Sequence, residues 1–522
     1  MDGYTTLFSA LEQLSNSRAV TLHMPGHKRN AAGVQFLEKL GAAYDITELE
    51  GFDNLHEPRG ILKEAERRAA ALWGSQRCFF LVNGSTGGIL AAVRALSLAT
   101  GSDRLIMARN CHRSVYNAAQ LCALKTIYIA APTAENLGFS GSITPESVEA
   151  AVRLAPGAPV ILTSPTYEGI VSNIADIAII CHMYGCPLIV DSAHGAHFGL
   201  SRAFPAGAVK AGADIVIQSV HKTLAGLTQT AILHLNSALV TAAELQTQLG
   251  IFQTSSPSYP LMASIDGTVA LIEKRGKQLF GDWEARLDRF DAAASALRSL
   301  KTPGHGELFE CQLRRGTPGY RVKGLAPNSV WDFDRSKIII DCTKAGISGI
   351  ELSRLLRERF GIYCETASRG FCIAMTGLLD CDENTLALTR ALRALDDELS
   401  SGEYTHTGLP SKPTGGTSTT KSVSHRTESG NGVQFPTELP TRRMEALEAL
   451  HTPREAVPLE ACVGRVAAEY VWRYPPGVAL LVPGEEISEE LLSALLLGRA
   501  AEEPISGSAG SLPEKITVVK TQ

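Results

Sequence analysis

Ser219-Val220-His221-Lys222 closes the apolar run Ile215-Val216-Ile217-Gln218. A buried strand that empties into a turn at a lysine places an amine at the edge of a sheet. Partial desolvation weakens the ammonium form, so such an amine loses its proton more readily and becomes a nucleophile. It can then condense with an aldehyde. The local pattern alone also fits a solvated surface lysine, and the surrounding chain decides between the two.

Working outward, the same grammar repeats. Cys78-Phe79-Phe80-Leu81-Val82 is a short apolar run that breaks at Asn83-Gly84-Ser85-Thr86-Gly87-Gly88, and an Ala-rich helix is expected from Ile89 to Leu98. Strand, Gly/Ser/Thr turn and helix aim free backbone N–H groups at an anion. Neither G-x-G-x-x-G nor G-K-[ST] is present, so a single phosphate monoester fits better than a dinucleotide or a nucleoside triphosphate. An ordinary capped turn also fits this stretch by itself. Further strands are expected at 104–107, 126–129, 159–163 and 187–190, with helices at 145–154 and 174–184. Continuous apolar strands alternating with helices predict an α/β fold with a mostly parallel sheet covered on both faces. Ligands of such sheets bind beyond the carboxyl ends of the strands. Polar clusters stand at five of those ends: 83–88, Asn110-Cys111-His112, Ser164 to Gly169, Asp191-Ser192-Ala193-His194, and 219–222.

The remainder sets the boundaries. Residues 1–55 form an N-terminal segment with a short helix (Leu7, Leu11, Leu14) and a polar loop holding His23, His27 and Lys28; residues 56–300 are the major domain. Residues 301–400 form a smaller α+β domain with a strand at 337–341, a helix at 348–359 and a candidate strand Gly361-Ile362-Tyr363-Cys364-Glu365. Ser, Thr, Gly and Lys dominate 401–432, a composition that cannot bury much and predicts a flexible linker. A C-terminal α+β domain is expected over 433–522, with helices at 441–450 and 487–497 and a strand at 478–482.

In all, 522 residues with 44% hydrophobic and 20% charged side chains suit a globular protein of two or three domains. A net charge of −5 gives no footprint for nucleic acid. No run approaches the roughly 18 apolar residues of a bilayer span, and the N-terminus carries no secretory pattern. Eleven scattered cysteines form no C-x-x-C pair, which predicts reduced thiols, a cytoplasmic location and no metal site.

Together the strand ends offer an imine-forming lysine (Lys222), a phosphate cradle (Ser85 and Thr86, with Ser219 and His221 beside the lysine), an acid (Asp191) and two histidines (His112, His194). Pyridoxal 5′-phosphate has an aldehyde, a phosphate and a basic ring nitrogen, and this set answers each. A carboxylate at the nitrogen keeps the ring cationic, and a cationic ring accepts electrons from the substrate's alpha carbon.

The motifs Met24-Pro25-Gly26-His27-Lys28, Asn83 to Gly88, Asn110-Cys111-His112, Asp191-Ser192-Ala193-His194-Gly195-Ala196-His197-Phe198, Ser219 to Lys222 and Tyr474-Pro475-Pro476-Gly477 resemble the ornithine/lysine/arginine decarboxylase family. These are pyridoxal-phosphate enzymes of the aspartate-aminotransferase fold, fold type I. The resemblance implies a seven-stranded sheet in the major domain and decarboxylation of arginine, lysine or ornithine to an amine and CO2, in polyamine metabolism. It gives Lys222 the cofactor aldehyde, Asp191 the ring nitrogen and His194 the ring or its phenolic oxygen. His112 stacks on the ring; Ser85, Thr86, Ser219 and His221 hold the phosphate; Lys222 or His221 reprotonates the alpha carbon. The family commonly has an acid where Ser192 stands here. A short form without an N-terminal wing domain is implied, as is a homodimer in which segment 44–58 reaches a neighbour's site. Glu365, Asp45 and Glu48 are the candidate acids for the substrate's distal cation, with Glu168 behind them. Two rivals remain: an aminotransferase of the same fold, with Arg369 as its carboxylate-binding arginine, and a non-catalytic pyridoxal-phosphate-binding protein.

Overall fold

The computed structural model describes residues 5–17, 21–29, 34–132, 140–302, 309–314, 317–322, 330–402, 439–474, 477–500 and 505–521. Seven strands make the main sheet: β1 Arg77–Leu81, β2 Arg104–Ala108, β3 Lys125–Ile129, β4 Val160–Thr163, β5 Leu188–Asp191, β6 Ile215–Ser219 and β7 Ala231–Leu235. Their order across the sheet is β1-β7-β6-β5-β4-β2-β3. The run from β6 to β3 is parallel, and β7 is antiparallel to both its neighbours. Every residue of β5, β6 and β7 is buried, as expected of strands covered on both faces. The five polar clusters therefore share one edge of the sheet.

Helices α1 Leu7–Ser15, α2 Ile61–Trp73, α3 Gly84–Thr100, α4 Arg113–Leu121, α5 Pro145–Leu154, α6 Ile174–Met183 and α7 Ala242–Phe252 accompany the sheet. Helix α3 starts five residues before the expected Ile89, so the Gly/Ser/Thr turn is its first turn. Gly88 lets that turn lie on the sheet: a Cβ there would stand 2.6 Å from a Leu81 methyl and 3.3 Å from Ile217.

β1 is an edge strand, and side chains occupy its free edge. Gln253 accepts from Val82 N–H and donates to the Phe80 carbonyl, and Glu66 of α2 accepts from Phe80 N–H at 3.1 Å. The second Glu66 oxygen is buried without a partner. Burial pushes the Glu66 carboxyl up to about 8, against the opposing Phe80 N–H. Between the ordinary carboxyl value and about 8 the folded chain keeps a proton that the unfolded chain has lost. Stability therefore falls as pH rises through that window. Glu66→Gln keeps an acceptor for Phe80 and carries no charge. It is expected to raise stability by more than ~1 kcal/mol near pH 8 and to change little near pH 4, read from urea midpoints at both values.

Helix α8, Tyr259–Ala294, is 36 residues long, about 54 Å at 1.5 Å per residue. It leads from the main sheet to a small sheet of β8 Lys337–Asp341, β9 Thr366–Ala367 and β10 Phe371–Met375, in the order β8-β10-β9, with helices α9 Gly349–Phe360 and α10 Asp382–Ser401. The expected strand at 361–365 is not one. Its residues leave the αL-capped end of α9 at Gly361, and pairing begins only at Thr366. The linker expected at 401–432 lies outside the described residues from 403 onward.

The C-terminal unit holds α11 Ala446–His451, β11 Arg454–Pro458, β12 Val471–Arg473, β13 Val478–Leu481, α12 Glu489–Ala500, β14 Ile505–Gly507 and β15 Lys515–Val519. Helix α11 is shorter than the expected 441–450, because Arg442 is held in a bridge with Glu485 before it begins. The unit docks on the carboxyl edge of the main sheet. Arg109, just after β2, pairs with buried Glu485 at 2.8 Å, and Val478 bridges His112. No helix among the described residues is long and apolar enough to cross a membrane.

Candidate active site

Lys222 sits in a single helical turn, Val220–Thr223, directly after β6. Its Nζ lies 2.7 Å from Nε2 of buried His194, which follows β5. Burial lowers the Lys222 amine from its ordinary value; Asp191 opposes this and Lys337 adds to it. His194 is pushed well below the usual imidazole range by burial and by Lys222. A neutral His194 accepts from the lysine through Nε2, which leaves Nδ1 buried without a partner.

Asp191, the last residue of β5, is buried and takes one backbone donor, Ala193 N–H at 3.1 Å. Burial raises its carboxyl and Lys222 opposes the shift. Opposite, the first turn of α3 brings Ser85 and Thr86, whose N–H groups no helix start can satisfy internally. The Ser85 hydroxyl meets the Ser219 hydroxyl at 2.7 Å. His221 is oriented by its Nδ1, which donates to the Thr230 carbonyl at 2.8 Å. His112 caps α4, its Nδ1 accepting from Ser114 N–H, and burial together with the charges of Lys222 and Arg113 takes it down to about 4.

These groups surround one cavity of about 400 Å³, in the range of a cofactor-sized site. Ser85, Thr86, His112, Asp191, His194, Ser219, His221 and Lys222 all line it. So do Tyr167, Glu168, Glu365, Asn110, and Arg473 and Tyr474 from the C-terminal unit. The Asn110 side-chain oxygen Oδ1 is buried without a partner. A buried carboxylate short of donors, an amine biased toward neutrality and unsatisfied helix N–H groups fit a molecule carrying a basic nitrogen, an aldehyde and a phosphate.

Tyr167 meets His194 edge-on at 5.0 Å, and its hydroxyl donates to Glu365 at 2.6 Å. Behind the lysine, His197 Nε2 donates to Asp334 and Nδ1 accepts from the Thr223 hydroxyl, both at 3.1 Å. Asp334 also takes Lys337 Nζ at 3.0 Å and the Ser336 hydroxyl at 2.7 Å. Among the described residues no cluster of three or more His, Cys, Asp or Glu could hold a metal ion.

A lysine ending one strand, an acid ending its neighbour and a helix N-terminus across a seven-stranded, mostly parallel sheet define the fold type I class of pyridoxal-phosphate enzymes. Within that class, the chain belongs to the Orn/Lys/Arg decarboxylase family: residues 5–369 match the family's major domain and 434–505 its C-terminal domain. It is an enzyme of the decarboxylase type. It is 31% identical over 525 aligned residues to the arginine decarboxylase of Bacillus subtilis, covering 99% of this chain and 98% of that protein. Against the arginine decarboxylase of Halalkalibacterium halodurans it is 30% identical, with 99% and 98% covered. The structure of the Escherichia coli constitutive lysine decarboxylase matches with a TM-score of 0.76 at 20% identity, covering 98% of this chain and 82% of that one.

Asp45 and Glu48 do not line the cavity of this chain. Asp45 belongs to the N-terminal segment and is paired with His27 at 3.2 Å. Arg369 does not line it either. Ser192 is fully buried with its hydroxyl oxygen unpartnered, away from the cavity lining. Sequence reasoning gave no role to Tyr167, Arg473 or Lys337. Tyr167 was visible inside a strand-end cluster, and Arg473 adjoins the Tyr474-Pro475-Pro476-Gly477 motif; Lys337 offered no local signal.

Proposed function

We propose that this chain holds pyridoxal 5′-phosphate in the cavity and decarboxylates a basic L-amino acid, with arginine as the first candidate. The observation that carries the proposal is the meeting of Lys222, Asp191 and the α3 N-terminus around one cavity that Glu168 and Glu365 also line. The near full-length relatives named arginine decarboxylase support the choice of arginine. Bound there, the cofactor supplies a sink for the electron pair left on the alpha carbon when CO2 departs.

The chain's own residues do the rest. Lys222 would hold the aldehyde, and its amine would carry the proton returned to the alpha carbon. Its lowered basicity favours both roles. Asp191 faces the ring nitrogen, where a positive charge would relieve the cost of its burial. Ser85, Thr86, Ser219 and His221 would hold the phosphate, His112 would stack on the ring, and His194 keeps the lysine in place. Glu365, fixed by the Tyr167 hydroxyl, attracts the distal cation.

A homodimer and a polyamine-forming role are proposed with it. The exposed Leu22, Met24, Phe36 and Leu40 of the N-terminal segment support the dimer, as an apolar surface suited to a second copy that would carry Asp45 and Glu48 along. The deciding assay offers arginine, lysine and ornithine separately to purified, cofactor-loaded protein and measures CO2 and amine. Stoichiometric CO2 with amine is expected; a keto acid in place of CO2 would overturn the proposal. Light scattering should give twice the 55.7 kDa chain mass.

A further inference from the structure

The cavity carries one more acid than the chemistry above uses. Asp191 belongs to the ring nitrogen and Glu365 to the distal cation, yet Glu168 also lines the space. It is 8% exposed. No side chain among the described residues donates to its carboxylate, and no lysine or arginine among them pairs with it. The other charged groups lining the cavity are Lys222 and Arg473.

The backbone under Glu168 is held on both sides. Gly169 N–H returns to the Thr166 carbonyl at 3.0 Å, and Thr166 N–H bonds the Ile170 carbonyl at 2.8 Å. Ile170 and Val171 pair with Phe333 and Asp332, and Asp334 N–H takes the Gly169 carbonyl at 2.8 Å. Gly169 adopts φ +99°, and a Cβ there would stand 3.1 Å from the Asp334 carbonyl oxygen, from Lys337 and from Phe333. The turn therefore presents Glu168 from fixed backbone, as a selective contact requires.

Next to it, Tyr167 commits one oxygen of Glu365, and both acids act electrostatically on the Tyr167 hydroxyl. The two carboxylates and the phenol line one cavity, with three carboxylate oxygens left for a guest. An ammonium is a compact point charge that one carboxylate can neutralise. A guanidinium spreads five N–H donors over a planar fork and can engage two carboxylates at once.

We infer that Glu168 is a specificity-determining residue, which with Glu365 forms a two-carboxylate fork that selects a substrate ending in guanidinium over one ending in ammonium. The inference rests on the decarboxylase function proposed above and deepens it.

The test compares wild type, Glu168→Gln and Glu168→Asp, all loaded with cofactor. kcat and KM are measured for arginine and lysine, and Kd for the product amines agmatine and cadaverine by calorimetry. Wild type is expected to prefer the guanidino compound in both readouts. Glu168→Gln is expected to reduce the arginine-to-lysine ratio of kcat/KM by about 10–100-fold, mainly through KM, and to raise the agmatine-to-cadaverine ratio of Kd by a similar factor. Glu168→Asp keeps the charge and should retain part of the preference. Equal losses for both substrates and both amines, or no loss, would overturn the role of Glu168. Binding is read apart from turnover, so a wild-type chain releasing no CO2 would remove the proposed function while the agmatine ratio still decides on Glu168.

Discussion

Lys222→Ala will leave a folded protein that produces no measurable amine and gives up its cofactor on dialysis. The expected loss in turnover is at least about 10²–10⁴-fold, the contribution of a positioned proton donor alone, before the loss of the covalent hold is counted. The argument is geometric first. Lys222 lies at the end of β6, next to the strand that ends in Asp191, and its amine is 2.7 Å from His194. Among the described residues no second lysine lines the cavity. Lys337 is the other amine nearby, but it is fully buried and bonded to Asp334 and Ser336, so it cannot substitute. Folding should be spared, because the turn is held by backbone: Leu378 N–H takes the Thr223 carbonyl at 2.9 Å and Val220 N–H takes the Thr230 carbonyl at 3.1 Å. Visible absorbance before and after dialysis, beside CO2 release, checks the result. Retained turnover would remove Lys222 from the chemistry.

Much of this site could be read from residues because a parallel sheet converts order along the chain into place. Once 78–82, 104–107, 159–163, 187–190 and 215–218 read as buried strands, the residues after each had to meet at one edge. β7 was missed for the same reason. Thr230-Ala231-Ile232-Leu233-His234-Leu235 follows the lysine turn too closely for a crossover, and only its antiparallel pairing with β1 and β6 makes it a strand. His234, polar in sequence, is buried there with Ser75 and Gln218 as partners.

What local pattern could not supply is distance across domains. Glu168 and Glu365 are 197 positions apart in sequence, and their relation comes from the pairing of Ile170 and Val171 with Phe333 and Asp332 and from the Tyr167–Glu365 hydrogen bond. Asp45 and Glu48 carry the same kind of charge in a polar stretch equally close to family motifs, yet they fall outside the cavity of this chain. Acidity alone does not distinguish these cases, and neither does burial, since Glu365 and Glu48 are both exposed; position at the cavity does. Arg473 likewise arrives only because β12 and β13 dock beside His112.

The cluster behind the lysine shows how far a site extends into its scaffold. His197, Asp334, Ser336 and Lys337 are all fully buried and bond one another, and His197 reaches Thr223, the neighbour of Lys222. Burial acts to raise the Asp334 carboxyl, but Lys337 and His197 outweigh it and hold the group well below the usual range. A buried charge deprived of its partner costs about 3–5 kcal/mol, whereas replacing a whole buried pair with apolar groups is often near neutral. Asp334→Ala leaves the Lys337 ammonium stranded and should lose about that amount. Lys337→Met should lose less, since His197 can take up a proton against Asp334. The double variant Asp334→Leu, Lys337→Met should recover much of the loss; urea midpoints followed by tryptophan fluorescence, to which Trp283 at 5.1 Å from His197 contributes, would show it. A double variant no more stable than Asp334→Ala would refute the ionic account. The sign with pH is fixed: a depressed carboxyl gives its full stabilisation above its unfolded value of about 3.9 and loses it as pH falls toward the folded value. Lys337 also helps to lower the Lys222 amine. Lys337→Met should therefore move the acid limb of the rate profile to higher pH, a change that a purely structural pair would not produce.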